Sequence, residues 1–133
     1  MDQILLDTNV VSFLLKEDTR AKTYAPYLEG RILMLSFMTV AELFQWAIIR
    51  NWGAQRMEQL ELTLQAYTVL PFDLALCRKW GEVRAKCRAA GHPISPQDAW
   101  IAATALQYNL SLITHDWADF AIVEGLQLIS AAT

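Results

Sequence analysis

The chain has 133 residues, 54% of them hydrophobic and 19% charged, with a formal net charge of −3. That length and balance build a buried core without disulfides or a structural metal and exclude a disordered chain. The negative total excludes a broadly basic surface that would grip nucleic acid by charge alone, and five tryptophans supply more apolar surface than a solitary monomer needs, which points to a permanent partner or a homodimer.

Ile4-Leu5-Leu6 is a short apolar run that ends in the polar turn Asp7-Thr8-Asn9, the pattern of a buried strand. Val10 to Lys16 reads as a helix and Thr19 to Glu29 as a second, closed by Gly30 where helices favour glycine. Ile32 to Ser36 is the next strand. Thr39-Val40-Ala41-Glu42 reads as a capping box opening an apolar helix that runs to about Arg50. Beyond Asn51-Trp52-Gly53 a helix spans Ala54 to Ala66, and Thr68-Val69-Leu70 is a strand stopped by Pro71. Asp73 begins a long helix whose stripe is Leu76, Trp80, Val83 and Cys87, ended by Gly91. Ser95 at the N-cap, Pro96 in the first turn and the acid Asp98 third start the next helix. Ser111 to Ile113 and Leu126 to Ile129 complete five strands.

No repeat, low-complexity segment or linker divides the chain, so residues 1–133 read as one domain. Strands alternating with helices predict an α/β fold, a three-layer α/β/α sandwich around a mostly parallel sheet. Cys77 and Cys87, ten residues apart on one helix, stand about 15 Å from each other, too far for a disulfide. They read as core thiols of a protein in a reducing cytoplasm. The start, Met1-Asp2-Gln3, is not that of a signal peptide, and the longest uncharged stretch, Ala99 to Thr114, is broken by Thr104, Gln107, Asn109 and Ser111. It is short for a membrane span.

Charge is unevenly spread. Every Lys and Arg lies at or before Arg88, while the tail from Ala89 carries Asp98, Asp116, Asp119 and Glu124. Arg78, Lys79, Arg84, Lys86 and Arg88 crowd one stretch and read as a solvated helix face, with phosphate contact the alternative. In open α/β sheets functional groups gather beyond the carboxyl ends of the strands. Asp7 follows the first strand and Asp116 the fourth, whereas Glu42 and Asp98 are placed in first turns of helices, where the backbone dipole favours negative charge. Each acid also has an ordinary role open to it: a capping box for Glu42, a helix cap for Asp98 or Asp116, ordering of a loop for Asp7. Asp98, however, shares a helix face with Ile101, Ala102 and Ala105, and Asp7 ends a buried strand with no cation near it in the sequence. Clustered carboxylates repel unless a cation neutralises them. Oxygen ligands suit Mg²⁺ or Mn²⁺, and such a site, with two ions about 4 Å apart, activates water against a phosphodiester.

The motifs resemble a known family. Leu5-Leu6-Asp7-Thr8-Asn9 is similar to the opening motif of PIN domains, in particular VapC-type toxins of type II toxin–antitoxin pairs. Thr39-Val40-Ala41-Glu42-Leu43 resembles the second motif, Pro96 to Ala105 the third, and Leu112-Ile113-Thr114-His115-Asp116-Trp117-Ala118-Asp119-Phe120 the fourth, in family order over nearly the whole chain. The resemblance implies an α/β/α sandwich, Mg²⁺ or Mn²⁺, endonucleolytic cleavage of RNA, homodimerisation and inhibition by a cognate antitoxin. It carries Asp7, Glu42 and Asp98 over as metal ligands and Asp116 as the fourth acid, with Asp119 as its competitor and Asn9 and Thr114 as supporting hydrogen-bonders. His115 is expected to be exposed, with general base or metal ligand as its functional alternative; His92 reads as a loop residue. Phe13, Trp46, Trp52 and Trp117 read as packing residues, with base stacking or an antitoxin groove as alternatives. Two rivals remain: a binding module with a silent site, and an aspartate-based phosphohydrolase. The second needs an acid where Asn9 stands and a lysine later than Lys86.

Overall fold

The computed structural model describes residues 2–130. β1 (Gln3–Leu6) leads into α1 (Thr8–Leu15) and α2 (Thr19–Leu28), and β2 (Ile32–Ser36) into α3 (Phe37–Ile49) and α4 (Ala54–Leu64). β3 (Thr68–Leu70) is followed by α5 (Leu74–Ala89) and α6 (Pro96–Gln107), and β4 (Ser111–Ile113) by the short α7 (Trp117–Phe120) and β5 (Leu128–Ile129). The strands lie in the order β3-β2-β1-β4-β5, and every pairing is parallel.

Alternation along β1 explains the layering. Leu5 points into one core with Val83 and Cys87 of α5, Ile101, Ala102 and Ala105 of α6, and Phe120. Ile4 and Leu6 point into the other, with Val10, Tyr24, Leu43 and Leu60 from α1 to α4. A strand covered on both faces must be apolar at every position, which is why Ile4-Leu5-Leu6 carries no polar break. The result is an α/β/α sandwich. No helix among the described residues is long and apolar enough to cross a membrane.

Several boundaries move. The helix expected to open at a Thr39 capping box begins at Phe37, capped by Ser36, whose hydroxyl accepts from the Met38 N–H at 3.1 Å. Thr39, Leu43 and Ala47 then form its buried stripe. Glu42 therefore lies in the second turn, not the first, and loses most of the dipole benefit. Asp73 caps α5 by accepting from the Leu76 N–H at 2.8 Å. On that helix Cys87 is buried but Cys77 is exposed, since ten residues along a helix return to a different face. Both thiols are free. Gly30 and Gly91 hold φ of +74° and +78° just past α2 and α5, a left-handed turn that side chains other than glycine rarely adopt.

Candidate active site

The chain passes from β1 to β2 on one side and reaches β4 on the other, so the segments leaving β1 and β4 part to opposite faces. That switch point leaves a crevice at the carboxyl ends of the strands. Backbone bonds fix both of its walls: the Asp7 N–H donates to the Ile113 carbonyl at 2.9 Å, and the Thr114 N–H to the Ile129 carbonyl at 3.0 Å. Asp7 and Thr114 thus sit side by side just beyond their strands, both buried.

Their side chains meet. The Thr114 hydroxyl donates to Asp7 Oδ2 at 2.8 Å and accepts from the Asp116 N–H at 3.0 Å, so one threonine locks an acid of the first strand to the turn after the fourth. Asp7 Oδ1 takes the Thr8 N–H at 2.7 Å. Across the crevice the Thr8 hydroxyl donates to Glu42 Oε1 at 2.9 Å and lies 3.0 Å from the Thr39 hydroxyl. A hydroxyl has one proton and a carboxylate only accepts, so Thr39 supplies the proton between the two threonines. The Asn9 amide donates to Asp116 Oδ2. Asp116 stands at the start of α7 without capping it through its side chain, so the local role open to it in the sequence is not the one it takes. Asn9 and Thr114, both expected as supporting groups, hold Asp116 and Asp7. The sequence reading missed Thr8 and Thr39. The register of α3 was the signal: counting from Ser36 puts Thr39 on the buried stripe, facing inward beneath Glu42.

Burial governs the charges here. Asp7 is only 4% exposed, and its pKa is pushed up to about 7, first by burial and then by the charges of Asp98 and Asp116, against the pull of its hydrogen bonds from Thr114 and Thr8. Asp98 rises to about 6, first by burial, then through Asp119, and further through Glu42 and Asp116, with a Ser95 hydrogen bond opposing. Glu42 is raised as well, by burial more than its Thr8 hydrogen bond lowers it. Asp7, Glu42, Asp98, Asp116 and Asp119 are therefore brought into one electrostatic neighbourhood. Both candidates for the fourth acid act on Asp98; Asp116 alone of the two also acts on Asp7. None of the five joins an ion pair among the described residues.

The acids are neighbours by field rather than by convergence. Among the described residues no three acidic, histidine or cysteine side chains stand close enough to grip one ion as they lie, a correction to the expected single meeting point. The reason is local: Asp7 is turned onto Thr8 and Thr114, Glu42 onto Thr8, and Asp116 onto Asn9. In chemistry the set still fits a hard divalent cation, because it is all oxygen, part-buried and without a cationic partner.

His115 is not exposed as expected. It is half-buried, with Nδ1 2.6 Å from the Tyr24 hydroxyl and the Phe13 ring edge-on at 5.1 Å. This fixes the turn that carries Asp116. His92 lies exposed in the loop between α5 and α6. Of the aromatics read as packing residues, Phe13 is buried and Trp46 packs edge-on against Trp52, with centroids 5.0 Å apart, but Trp117 is 49% exposed.

A doubly wound parallel sheet with a carboxylate crevice at its switch point defines a class of hydrolytic α/β domains. The PIN domain family model matches residues 4–126. Ribonuclease VapC1 of Haemophilus influenzae is 33% identical over 92% of this chain and 93% of its own length. Toxin FitB of Neisseria gonorrhoeae is 36% identical over 88% and 90%. The solved structure of VapBC-1 from nontypeable Haemophilus influenzae superposes with a TM-score of 0.83 at 30% identity, covering 97% of this chain and 98% of that one. The chain belongs to the PIN-domain family, and its relatives are of the VapC type.

Proposed function

We propose that the protein is a Mg²⁺- or Mn²⁺-dependent endoribonuclease and the toxin of a toxin–antitoxin pair. The observation that carries this reading is Asp7: a buried acid at the switch point, raised to about 7, surrounded by other acids and lacking a cation. An acid so placed costs stability, and the cost is repaid in function when a divalent ion binds. When bound, such an ion activates water and steadies the charge that develops on a phosphodiester. Asp7, Glu42, Asp98 and Asp116 would hold it, Thr114 and Thr8 would aim the first two carboxylates, and Asn9 would aim the fourth. Asp7 and Asp98 set the pH window together, since each carboxyl must lose its proton before it can ligate.

The names of the relatives support the activity and its setting: one is called a ribonuclease and another a toxin. Apolar surface left open on this chain supports a homodimer and an antitoxin partner. Ile48, Ile49 and Leu62 on α3 and α4 are more than half exposed, and so are Phe72 and Leu74 at the start of α5. Work in the cytoplasm agrees with the two free thiols. The phosphohydrolase rival has no acid at Asn9 to use.

The deciding experiment is expression of the wild type and Asp98→Asn, with mapping of cleaved RNA ends. The variant is expected to lose cleavage by about 10³-fold while keeping its fold. Cleavage and growth arrest that persist unchanged in Asp98→Asn would end the catalytic assignment and favour a binding module.

A further inference from the structure

A groove of about 370 Å³ opens beside the acids at Asn9 and Glu42, passes Ser12 and Gln45, and reaches Lys16 and Trp46. Asn9, Ser12 and Lys16 follow one another three and four apart on and just past α1, and on α3 Gln45 and Trp46 lie three and four beyond Glu42, so two helix faces form its walls. At the far end Lys16 Nζ lies 4.5 Å from the centre of the Trp46 ring, and the Arg50 guanidinium carbon lies 4.4 Å from it. The edge of Trp52 braces Trp46 from the side, and Arg56 covers Trp52 at 4.1 Å.

Lys16 and Arg50 differ from Arg20, another aromatic-bound cation nearby. Arg20 lies 3.9 Å over Phe13 but is also bound to Asp18 through two side-chain hydrogen bonds of 3.0 and 2.8 Å, so its charge is spent. Lys16 and Arg50 form no ion pair among the described residues and are exposed. A π face positions a cation without neutralising it. The two charges are therefore held in place and left open to an anion.

An RNA strand needs such an anchor. Its phosphates are repelled by the acids, and the last third of the chain offers no Lys or Arg to offset that repulsion. Along α1, Asn9 to Lys16 spans about 10 Å, close enough for one strand to touch both ends of the groove. We propose that Lys16 and Arg50, positioned by Trp46, form a phosphate-binding subsite for single-stranded RNA, which enters along the α1–α3 groove with its scissile bond at the acids. This rests on the ribonuclease reading above.

The test measures binding, not cleavage. A fluorescein-labelled single-stranded RNA of about ten nucleotides is titrated with the full chain in EDTA, over a series of salt concentrations, and a gel confirms that the probe stays whole. The double variant Lys16→Gln/Arg50→Gln is expected to bind about tenfold more weakly at low salt. Its slope of log affinity against log salt should flatten by about 1.4, the loss of two phosphate contacts on a single strand. Trp46→Phe should bind as the wild type does and Trp46→Leu as the double variant does. Arg31→Gln, at the opposite end of the sheet, should change neither affinity nor slope. Wild-type affinity and slope in the double variant overturn the subsite, as does equal flattening by Arg31→Gln, which would reduce the effect to net charge. If Trp46→Leu does not fold, the two exposed cations carry the test alone. Cleavage surviving in Asp98→Asn would sink the nuclease reading and leave this measurement standing; an unchanged slope beside intact cleavage would sink only the subsite.

Discussion

The two ends of the parallel sheet carry clefts of similar size and opposite character. At the amino ends of the strands a cleft of about 430 Å³ is lined by Asp2, Gln3, Arg31, Tyr108 and Asn109; its acid is exposed and shares the lining with a cation. At the carboxyl ends the groove is no larger, about 370 Å³, yet its neighbourhood holds Asp7 at about 7 and Asp98 at about 6. Volume does not separate the two. Uncompensated buried charge does, and the architecture sorts it. Asp7 caps α1 where it leaves the carboxyl end of β1, and Asp98 lies in the first turn of α6, so each acid sits at a helix N-terminus. The helix dipole there is worth about 0.3–1 kcal/mol, whereas holding Asp7 ionised in its burial costs about 4 kcal/mol. Burial wins, and the site is left in need of a cation.

The largest effect that could break this comparison is the pH dependence of stability. A carboxyl whose folded pKa is raised binds its proton more tightly when folded. The stability it lends is complete below its ordinary value of 3.8 and is lost as pH climbs through about 7. In EDTA, Asp7 alone should lower the unfolding free energy from urea titration by about 3–4 kcal/mol between about pH 4 and pH 8, and Asp98, raised to about 6, should add a smaller fall of its own. Asp7→Asn should remove most of that slope and be the more stable protein at about pH 8. Asp2→Asn, at the other end, should leave the curve unchanged. Mg²⁺ at about a hundredfold excess over its dissociation constant should restore about 2.7 kcal/mol at about pH 8 in the wild type but not in Asp7→Asn. If Asp2→Asn reshapes the curve as much as Asp7→Asn does, the contrast between the two ends is wrong.

A smaller effect sharpens the role of Thr114. Thr114→Val keeps the shape but removes the donor to Asp7 Oδ2 and the acceptor of the Asp116 N–H. At about pH 8 the loss should be about 1–3 kcal/mol, since Asp7 Oδ2 loses its donor and the Asp116 N–H its acceptor in a part-buried place. The Thr114 bond lowers the Asp7 pKa, so its removal raises that pKa further, and the acid limb of kcat/KM should move to higher pH. An unmoved limb would mean that Thr114 only fastens the turn.

Most of the fold was legible because both period and punctuation agreed. Three apolar residues before Asp7, glycines after α2 and α5, and Ser95-Pro96 before Asp98 each have one cheap structural solution. The acids could be placed at one edge from topology alone. What could not be read was how each carboxylate is held. Two cap-forming residues, Ser36 and Thr39, lie three apart, and sequence alone favoured the later one because a glutamate follows it at the capping-box spacing. Packing of Leu43 and Ala47 decides for Ser36 and turns Thr39 inward. The same holds for His115. Beside Asp116 in a turn it reads as exposed, and only the arrival of Phe13 and Tyr24 from α1 and α2 encloses it. Trp46 and Arg50, four apart, share one face of α3, but no sequence spacing brings Lys16 to them, since that depends on how α1 crosses α3.

The smallest effect separates the two candidates for the fourth acid. Asp119 is exposed on α7, and after burial its charge is the largest influence raising Asp98. Asp116 acts on both Asp98 and Asp7 and is held by Asn9. Asp119→Asn should therefore lower the Asp98 pKa and shift the acid limb of kcat/KM to lower pH, with activity at about pH 8 within about threefold of the wild type. Asp116→Asn should shift the limb in the same direction and also cost about tenfold or more at about pH 8, where the acids are already ionised and a lost ligand shows as lost rate. Profiles of kcat/KM at subsaturating Mg²⁺, measured side by side, read both quantities. A greater loss at about pH 8 from Asp119→Asn than from Asp116→Asn would reverse the assignment: the acid reached by one turn of α7 would complete the site, and the residue nearer the strand would serve to position it.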